Sequence, residues 1–181
     1  MVKVQRLRET REWLDLKQVD LIDLFGVTYS TISGWETGKD TIPLKQLIKY
    51  ANKYNYSLDY LLGLTDKNIE YKELEIDLDI LANNLKRLRK QYGKTQQQIA
   101  DVINTSQSSY AHYENARYIM PLNFLYNLHK IYKEISIDEL LGRKKKIFKH
   151  LKSNLKMSCF FINHYIPQFL SISVLIYYIY F

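Results

Sequence analysis

The chain contains an internal repeat, and this feature limits its folds more than any other. Residues 26–39 read GVTYSTISGWETGK, and residues 104–117 repeat the pattern as NTSQSSYAHYENAR. Both copies close alike, with SLDYLLG at 57–63 and SIDELLG at 136–142. Each copy is about sixty residues long, which is the size of a small independent domain. The sequence therefore predicts two similar domains in tandem.

Apolar residues within each copy are spaced as on an amphipathic helix. In the second copy Leu81, Leu85, Leu88 and Tyr92 recur at steps of three and four, and Gly93 follows them. Such a stripe buries one face of a helix, and glycine is the usual residue just past a helix end. The pattern predicts a first helix that ends before Gly93.

The second helix is predicted from its N-terminal cap. In the second copy Thr95 and Gln98 have the T-x-x-Q form of a capping box. The first copy has Lys17 in place of Thr95, so we expect Asp15 to cap that helix instead. The apolar residues expected to face the core from the second helix of the second copy are Ile99, Val102 and Ile103.

A short turn joins the second helix to the third in each copy. Gly26 and Asn104 tolerate the left-handed conformation that a sharp turn requires. Thr28 and Ser106 follow two residues later, and both are good N-cap types. Two helices joined in this way form a helix-turn-helix. The residues expected to open the fourth and fifth helices are Pro43 and Ser57 in the first copy, and Pro121 and Ser136 in the second.

These patterns predict an all-α fold with two five-helix domains and a basic, apolar C-terminal tail. Between the domains, apolar and charged residues alternate from Leu74 to Ile80. A pairing strand and a linker that runs into the next helix both explain this alternation. We favour the linker, because a lone strand has nothing to pair with in a helical chain. The predicted segments are domain 1 at 1–65, an acidic linker at 66–80, domain 2 at 81–142, and the tail at 143–181.

Both copies resemble the lambda-repressor-like helix-turn-helix family of the Xre/Cro type. The resemblance covers residues 4–65 and 82–142 and runs from Gln18 or Gln96 to the closing L-D-x-L-L-G. It implies a sequence-specific DNA-binding transcriptional regulator, with repression as the expected role. It also implies that the third helix of each copy enters the DNA major groove, usually from a protein dimer.

The third helix has a core-facing side and an outward side. Ile32 and Trp35 in the first copy, and Tyr110 and Tyr113 in the second, lie three residues apart and are expected to face the core, leaving Gly34 outward. Small and polar side chains can approach base edges, and a glutamine amide can contact adenine through two hydrogen bonds. The residues expected to read bases are Tyr29, Ser30, Ser33, Gln107, Ser108 and His112.

Other polar residues are expected to contact the DNA backbone or to hold the helices together. Residues at helix starts and just after the third helix are well placed for phosphate contacts. The expected phosphate-binding residues are Gln18, Thr28 and Lys39 in the first copy, and Gln96, Ser106 and Arg117 in the second. The resemblance further implies structural ion pairs between the first and third helices: Arg11 with Glu36, and Arg89 with Glu114.

Charge alone does not establish DNA binding. The net charge is +7, but residues 143–181 carry seven basic and no acidic side chains. Because the net basicity of the chain lies in that tail, the high pI says nothing about the helical domains. The argument for DNA binding depends on the repeated motif.

Enzymatic and metal-binding functions find no support in the residues. The four histidines have no metal-ligand spacing and no cysteine partners, so no metal or cofactor is expected. No nucleophile with a neighbouring base can be picked out. The single cysteine cannot form an intramolecular disulfide, which favours a cytoplasmic protein.

Two alternatives stay open. One or both helix-turn-helix units could have lost DNA binding and act in protein interaction, as an antitoxin or anti-repressor scaffold. The tail could instead tether a regulator to the membrane, since its last stretch is apolar and follows basic residues. For DNA-bound forms, either the two units of one chain bind two half-sites, or each unit pairs with its copy in a homodimer.

Overall fold

The computed structural model describes residues 2–132 and 135–146. It confirms the all-α prediction, since the described residues form two sets of five helices and no strand. The first set is α1 Leu7–Trp13, α2 Asp20–Phe25, α3 Tyr29–Thr37, α4 Leu44–Tyr54 and α5 Leu58–Leu61. The second set is α6 Leu78–Gln91, α7 Gln96–Val102, α8 Gln107–Glu114, α9 Leu122–Ile131 and α10 Ile137–Leu140.

The N-caps explain why most helices begin where they do. The hydroxyls of Thr28 and Ser106 accept hydrogen bonds from the third backbone amide beyond them, as predicted for α3 and α8. Ser57 and Ser136 cap α5 and α10 in the same way. At α7, Thr95 and Gln98 form the complete capping box.

The predicted cap of α2 by Asp15 is wrong. Asp15 has a left-handed backbone, with φ of 55°, and belongs to the turn that ends α1. Val19 occupies the N-cap position of α2 and makes no side-chain cap bond. The carboxylate of Asp20 accepts a hydrogen bond from the Lys17 amide at 2.7 Å and orders this turn instead.

Left-handed residues shape both connections of the third helix. Gly26 at φ 66° and Asn104 at φ 57° confirm the predicted turn between the second and third helices. After the third helix, Gly38 at φ 80° is matched by Ala116 at φ 55°. A side chain makes this conformation costly by about 1–2 kcal/mol, so the second copy carries local strain that the first avoids.

The leucines predicted for the stripe of α6 are buried, but the same prediction for Tyr92 is wrong, since Tyr92 is the C-cap residue and is 37% exposed. Two other predictions about orientation are also wrong. Val102 is 39% exposed, because it lies in the last turn of α7, on the side away from the core. Gly34 is buried rather than outward, since the chain after α3 folds back and the Asp40 amide donates to the Gly34 carbonyl at 3.1 Å. A Cβ atom there would lie 2.6 Å from Asp40 Oδ2.

The acidic segment between the repeats is anchored to both of them. Leu74 is buried, and its amide and carbonyl both bond to the Asn52 side chain on α4, at 3.1 and 3.0 Å. Tyr71 forms an antiparallel β-bridge with Lys145. Residues 74–77 form no strand, and α6 begins at Leu78, inside the segment expected to be linker.

The described residues belong to one compact unit. The segment 143–146, grouped with the tail in the sequence analysis, is part of it because Arg143 is buried there. Among the described residues, no helix combines the length and apolar character needed to cross a membrane. The predictions of a membrane tether, or of any other role for residues 147–181, lie outside the described residues.

Candidate nucleic-acid interface

The outward face of α3 is formed by small and polar side chains. Tyr29 is 55% exposed at the start of the helix, Ser30 is exposed, and Ser33 is half-buried one turn later. Ile32 and Trp35 lie in the core, as expected, and Trp35 packs edge-on against Phe25 at 5.3 Å. The apolar side thus fixes the helix while the polar side faces solvent.

The corresponding face of α8 has larger polar groups. Gln107 and Ser108 are exposed, and His112 is half-buried. The His112 ring contacts Tyr118 edge-on, with centroids 5.6 Å apart. Tyr118 is 63% exposed and was not anticipated as part of this surface. The signal was available in the repeat. The two copies are offset by 78 residues, so Tyr118 in the second copy aligns with Asp40 in the first and replaces a carboxylate by an aromatic ring.

A buried ion pair holds α3 against α1. Arg11 Nε donates to Glu36 Oε1 at 2.6 Å and Nη2 donates to Oε2 at 3.1 Å. Only 9% of the Arg11 side chain and 1% of the Glu36 side chain are exposed. The hydrogen bond to Glu36 raises the pKa of the Arg11 guanidinium, so Arg11 stays charged. Gln18, just before α2, donates to the same carboxylate at 2.6 Å.

The second copy repeats this arrangement and extends it to the outward face of α8. Arg89 donates to the Glu114 carboxylate through Nε at 2.6 Å and Nη2 at 2.9 Å. Gln96 Nε2 donates to Glu114 at 2.9 Å, and Gln107 Nε2 donates to Gln96 Oε1 at 3.0 Å. Burial acts to raise the pKa of Glu114, but the bonds from Arg89 and Gln96 outweigh it and hold that pKa below its usual value. The outward amide of Gln107 is thus linked to the buried ion pair.

These bonds restrict what Gln18 and Gln96 can offer to a phosphate. Each side-chain amide has two N–H groups, and one of them is used on the buried glutamate. The second N–H of each amide remains for an external acceptor. The expected phosphate role is therefore compatible with the structure, but with one donor from each glutamine.

The other expected phosphate-binding residues lie around α3 and α8. Thr28 and Ser106 are exposed at the N-termini of α3 and α8, and Lys39 and Arg117 are exposed just beyond the C-termini. The Arg117 amide donates to the His112 carbonyl at 3.0 Å, which holds the loop close to α8. Each outward face is therefore flanked by hydrogen-bond donors at both ends.

Two basic residues beside α3 were missed by the sequence analysis. A groove of about 550 Å³ borders Tyr29 and Ser33, and its lining includes Arg8 and Lys17. Lys17 stands in the turn before α2, where the second copy has its capping threonine, and this difference was the available signal. Arg8 bonds to exposed Glu12 at 2.8 Å, so part of its charge is already compensated.

Within the described residues, no cluster of three or more His, Cys, Asp or Glu side chains is placed to hold a metal ion. The features that do recur are a short left-handed turn, a following helix with a polar outward face, and a buried ion pair behind it. Together they define a helix-turn-helix protein, and the described residues contain this arrangement twice.

Comparison with known proteins agrees with this class. The helix-turn-helix family model HTH_3 matches residues 7–61 and 85–140. The chain therefore belongs to this helix-turn-helix family, which confirms the resemblance seen in the sequence.

Two similar proteins are informative about the extent of the match. The uncharacterized HTH-type transcriptional regulator YobD of Bacillus subtilis (strain 168) is 36% identical over 74 residues, which are 39% of this chain and 66% of that protein. The alignment thus spans just under two thirds of the relative. A crystal structure of a transcriptional regulator from Listeria innocua has 28% sequence identity and a TM-score of 0.34, over 45% of this chain and 76% of that chain.

Proposed function

We propose that this protein is a sequence-specific DNA-binding transcriptional regulator that acts as a repressor. In this proposal α3 and α8 enter the major groove and read base edges. The observation that carries it is the polar outward face of each of these helices, held in place by a buried ion pair behind the helix. Membership of the helix-turn-helix family and the similarity to a protein named as a transcriptional regulator support it.

The two helices would read bases with different chemistry. From α8, Gln107 can donate and accept in a bidentate contact with adenine, while Ser108 and His112 can reach several base edges. From α3, Tyr29, Ser30 and Ser33 offer an aromatic ring and two hydroxyls. The second copy therefore has the stronger set of base-reading groups.

Phosphate contacts would position the protein without specifying sequence. The amides beneath Thr28 and Ser106 lie at helix N-termini, which favour bound anions, and Lys39 and Arg117 supply charge at the opposite ends. A protein bound in this way at a promoter blocks other proteins by occupying the site, so repression needs no catalytic residue or cofactor. The proposal places the protein in the cytoplasm, with the chromosome.

The proposal is tested by selection from a pool of random-sequence DNA duplexes with the full chain. We expect enrichment of a defined motif, and binding that weakens steeply with added salt as phosphate-bound counterions are released. The double variant Ser30→Glu, Ser108→Glu places a carboxylate on each outward face and should lose the enrichment. Asn83→Glu, which places the same charge on the exposed side of α6, should retain it.

Absence of any enriched motif with the unaltered chain would refute sequence-specific binding and favour the protein-interaction alternative. Enrichment that survives the double substitution would show that other residues read the DNA.

A further inference from the structure

Equivalent residues of the two repeats meet where α5 packs against α10. Asp59 and Asp138 hold the same place in the closing L-D-x-L-L-G motif. The Asp59 amide donates to Asp138 Oδ2 at 3.0 Å, and the Ile137 amide donates to Asp59 Oδ1 at 2.8 Å. Ser136 Oγ also donates to Asp59. The carboxylate of Asp59 on α5 thus bonds to the start of α10, and that of Asp138 on α10 bonds to the start of α5. Such reciprocal contacts are expected of an interface with two-fold symmetry.

A second meeting of equivalent segments lies elsewhere in the same unit. A cavity of about 360 Å³ is lined by residues 41–45 from one repeat and 119–123 from the other. These segments are related by the offset of 78, and Pro43 faces the same cavity as Pro121. Two separate contacts between equivalent elements relate the repeats by an approximate two-fold axis.

The arrangement is fixed by bonds that have no counterpart in the first repeat. Arg143 is buried and donates to the Tyr56 carbonyl at 2.8 Å, to Asn52 Oδ1 at 3.1 Å and to Asp138 Oδ1 at 3.0 Å. The equivalent position after the first closing motif is Leu64. Arg143 therefore joins the end of the second repeat to α4 and the turn before α5.

The C-terminal ends of α3 and α8 are a few residues along the chain from this cavity. The cavity rim begins at Thr41 and Ile119, four residues after the end of α3 and five after the end of α8. At most about 3.6 Å per residue, each helix ends within about 18 Å of the rim. Because the two-fold axis relates one repeat to the other, α3 and α8 lie at the same level along that axis, as two half-sites on one face of a duplex require.

We infer that a single chain provides both halves of a two-fold DNA-binding unit and binds one bipartite site composed of two unlike half-sites. This inference rests on the proposed DNA-binding function. The half-sites differ because α3 has Tyr29 and Ser33 where α8 has Gln107 and Ala111. A second copy of the chain cannot pair through α5 or α10, since these helices already cover each other.

The first test uses the bipartite motif enriched by the full chain from a random duplex pool. We expect half-sites with centres about 10 base pairs apart and one chain per duplex by sedimentation. Inserting about 5 base pairs turns the second half-site to the opposite face and should weaken binding by roughly 10²- to 10⁴-fold, to the affinity of one half-site. Inserting about 10 base pairs returns the second half-site to the same face but should not restore the affinity, because the interface holds the two repeats at a fixed separation.

The second test loosens the interface. Arg143→Met should lower affinity for the bipartite duplex at least about tenfold while leaving affinity for a duplex with one half-site unchanged. Lys72→Met removes the same charge from an exposed side chain nearby and should change neither affinity by more than about twofold. If Arg143→Met disturbs folding and weakens binding to both duplexes, the series of spacer insertions measured with the unaltered chain still tests the inference.

Three results would overturn this inference but leave the proposed function intact. They are two chains bound to a palindrome of identical half-sites, an enriched motif with a single half-site, and recovery of affinity when the longer spacer is inserted. A pool that yields no enriched motif would overturn the proposed function, and the inference with it.

Discussion

Replacing Glu36 by alanine should destabilise the first repeat strongly, because it leaves a buried guanidinium without its partner. The Glu36 carboxylate accepts three hydrogen bonds, two from Arg11 and one from Gln18. After Glu36→Ala, Arg11 keeps its bond to the Leu16 carbonyl and a 3.6 Å contact with the exposed Glu12 carboxylate, but it loses both hydrogen bonds to Glu36. Breaking a buried pair in this way costs about 3–5 kcal/mol of unfolding free energy, a large part of the stability of a small domain.

Urea denaturation followed by tryptophan fluorescence measures this loss in the relevant repeat. The chain has two tryptophans, Trp13 and Trp35, and both lie in the first repeat. Trp35 is buried next to Phe25, so its emission reports the packing of α3. We expect a lower midpoint with an unchanged slope, since the exposed area on unfolding stays nearly the same.

Two comparisons isolate the buried charge as the cause. The double variant Arg11→Met, Glu36→Met leaves no unpaired charge and should be more stable than Glu36→Ala alone. Glu12→Ala removes an exposed carboxylate that pairs with Arg8 at 2.8 Å and lies 3.6 Å from Arg11, and it should have a much smaller effect because solvent screens that charge. A loss below about 1 kcal/mol for Glu36→Ala, or a double variant no more stable than it, would refute the reasoning.

Three further predictions concern the second repeat. Ala116→Gly should raise the unfolding free energy by up to about 1 kcal/mol, and the reciprocal Gly38→Ala should lower it, as measured by urea denaturation; equal signs would contradict the strain argument. Gln107→Ala should weaken the preferred DNA site by roughly 1–3 kcal/mol at one base pair, whereas Arg117→Ala should weaken all sequences alike and reduce the salt slope by about one; titration of single-base variants at two salt concentrations distinguishes them. Because the folded-state pKa of Glu114 is lowered, its stabilising effect is present above its unfolded pKa and is lost as pH falls through the folded value. The stability advantage over Glu114→Gln should therefore shrink below about pH 4.5, and a constant difference in circular-dichroism melts would argue against it.

Local signals in the sequence predicted the helices well. N-caps such as Thr95 and Ser106, and turn residues such as Gly26, act within a few residues of themselves, so their effect can be read from neighbouring positions. The failed prediction for Gly34 depends on the path of the chain beyond its own helix. Gly34 is buried by the loop that folds back from Asp40, and helical spacing alone does not reveal that loop.

The packing of one repeat on the other could not be predicted from the sequence for the same reason. Asp59 and Asp138 are far apart along the chain, and each reads as an ordinary acidic residue in the first turn of a short helix. Their roles depend on hydrogen bonds across the interface. Arg143 looked like the first residue of a basic tail, and only its buried bonds place it in the compact unit.

The repeat also separates the residues that maintain the fold from those available for reading DNA. Where both copies bury a network, the residues are the same, as with Arg, Gln and Glu at the ion pairs. On the outward faces of the recognition helices, Ser30 is matched by Ser108 but Tyr29 by Gln107. A buried charge tolerates few replacements because its partners must match it, whereas an exposed side chain is free to change with what it contacts. Two copies of one framework with different outward faces are what recognition of two different half-sites would require.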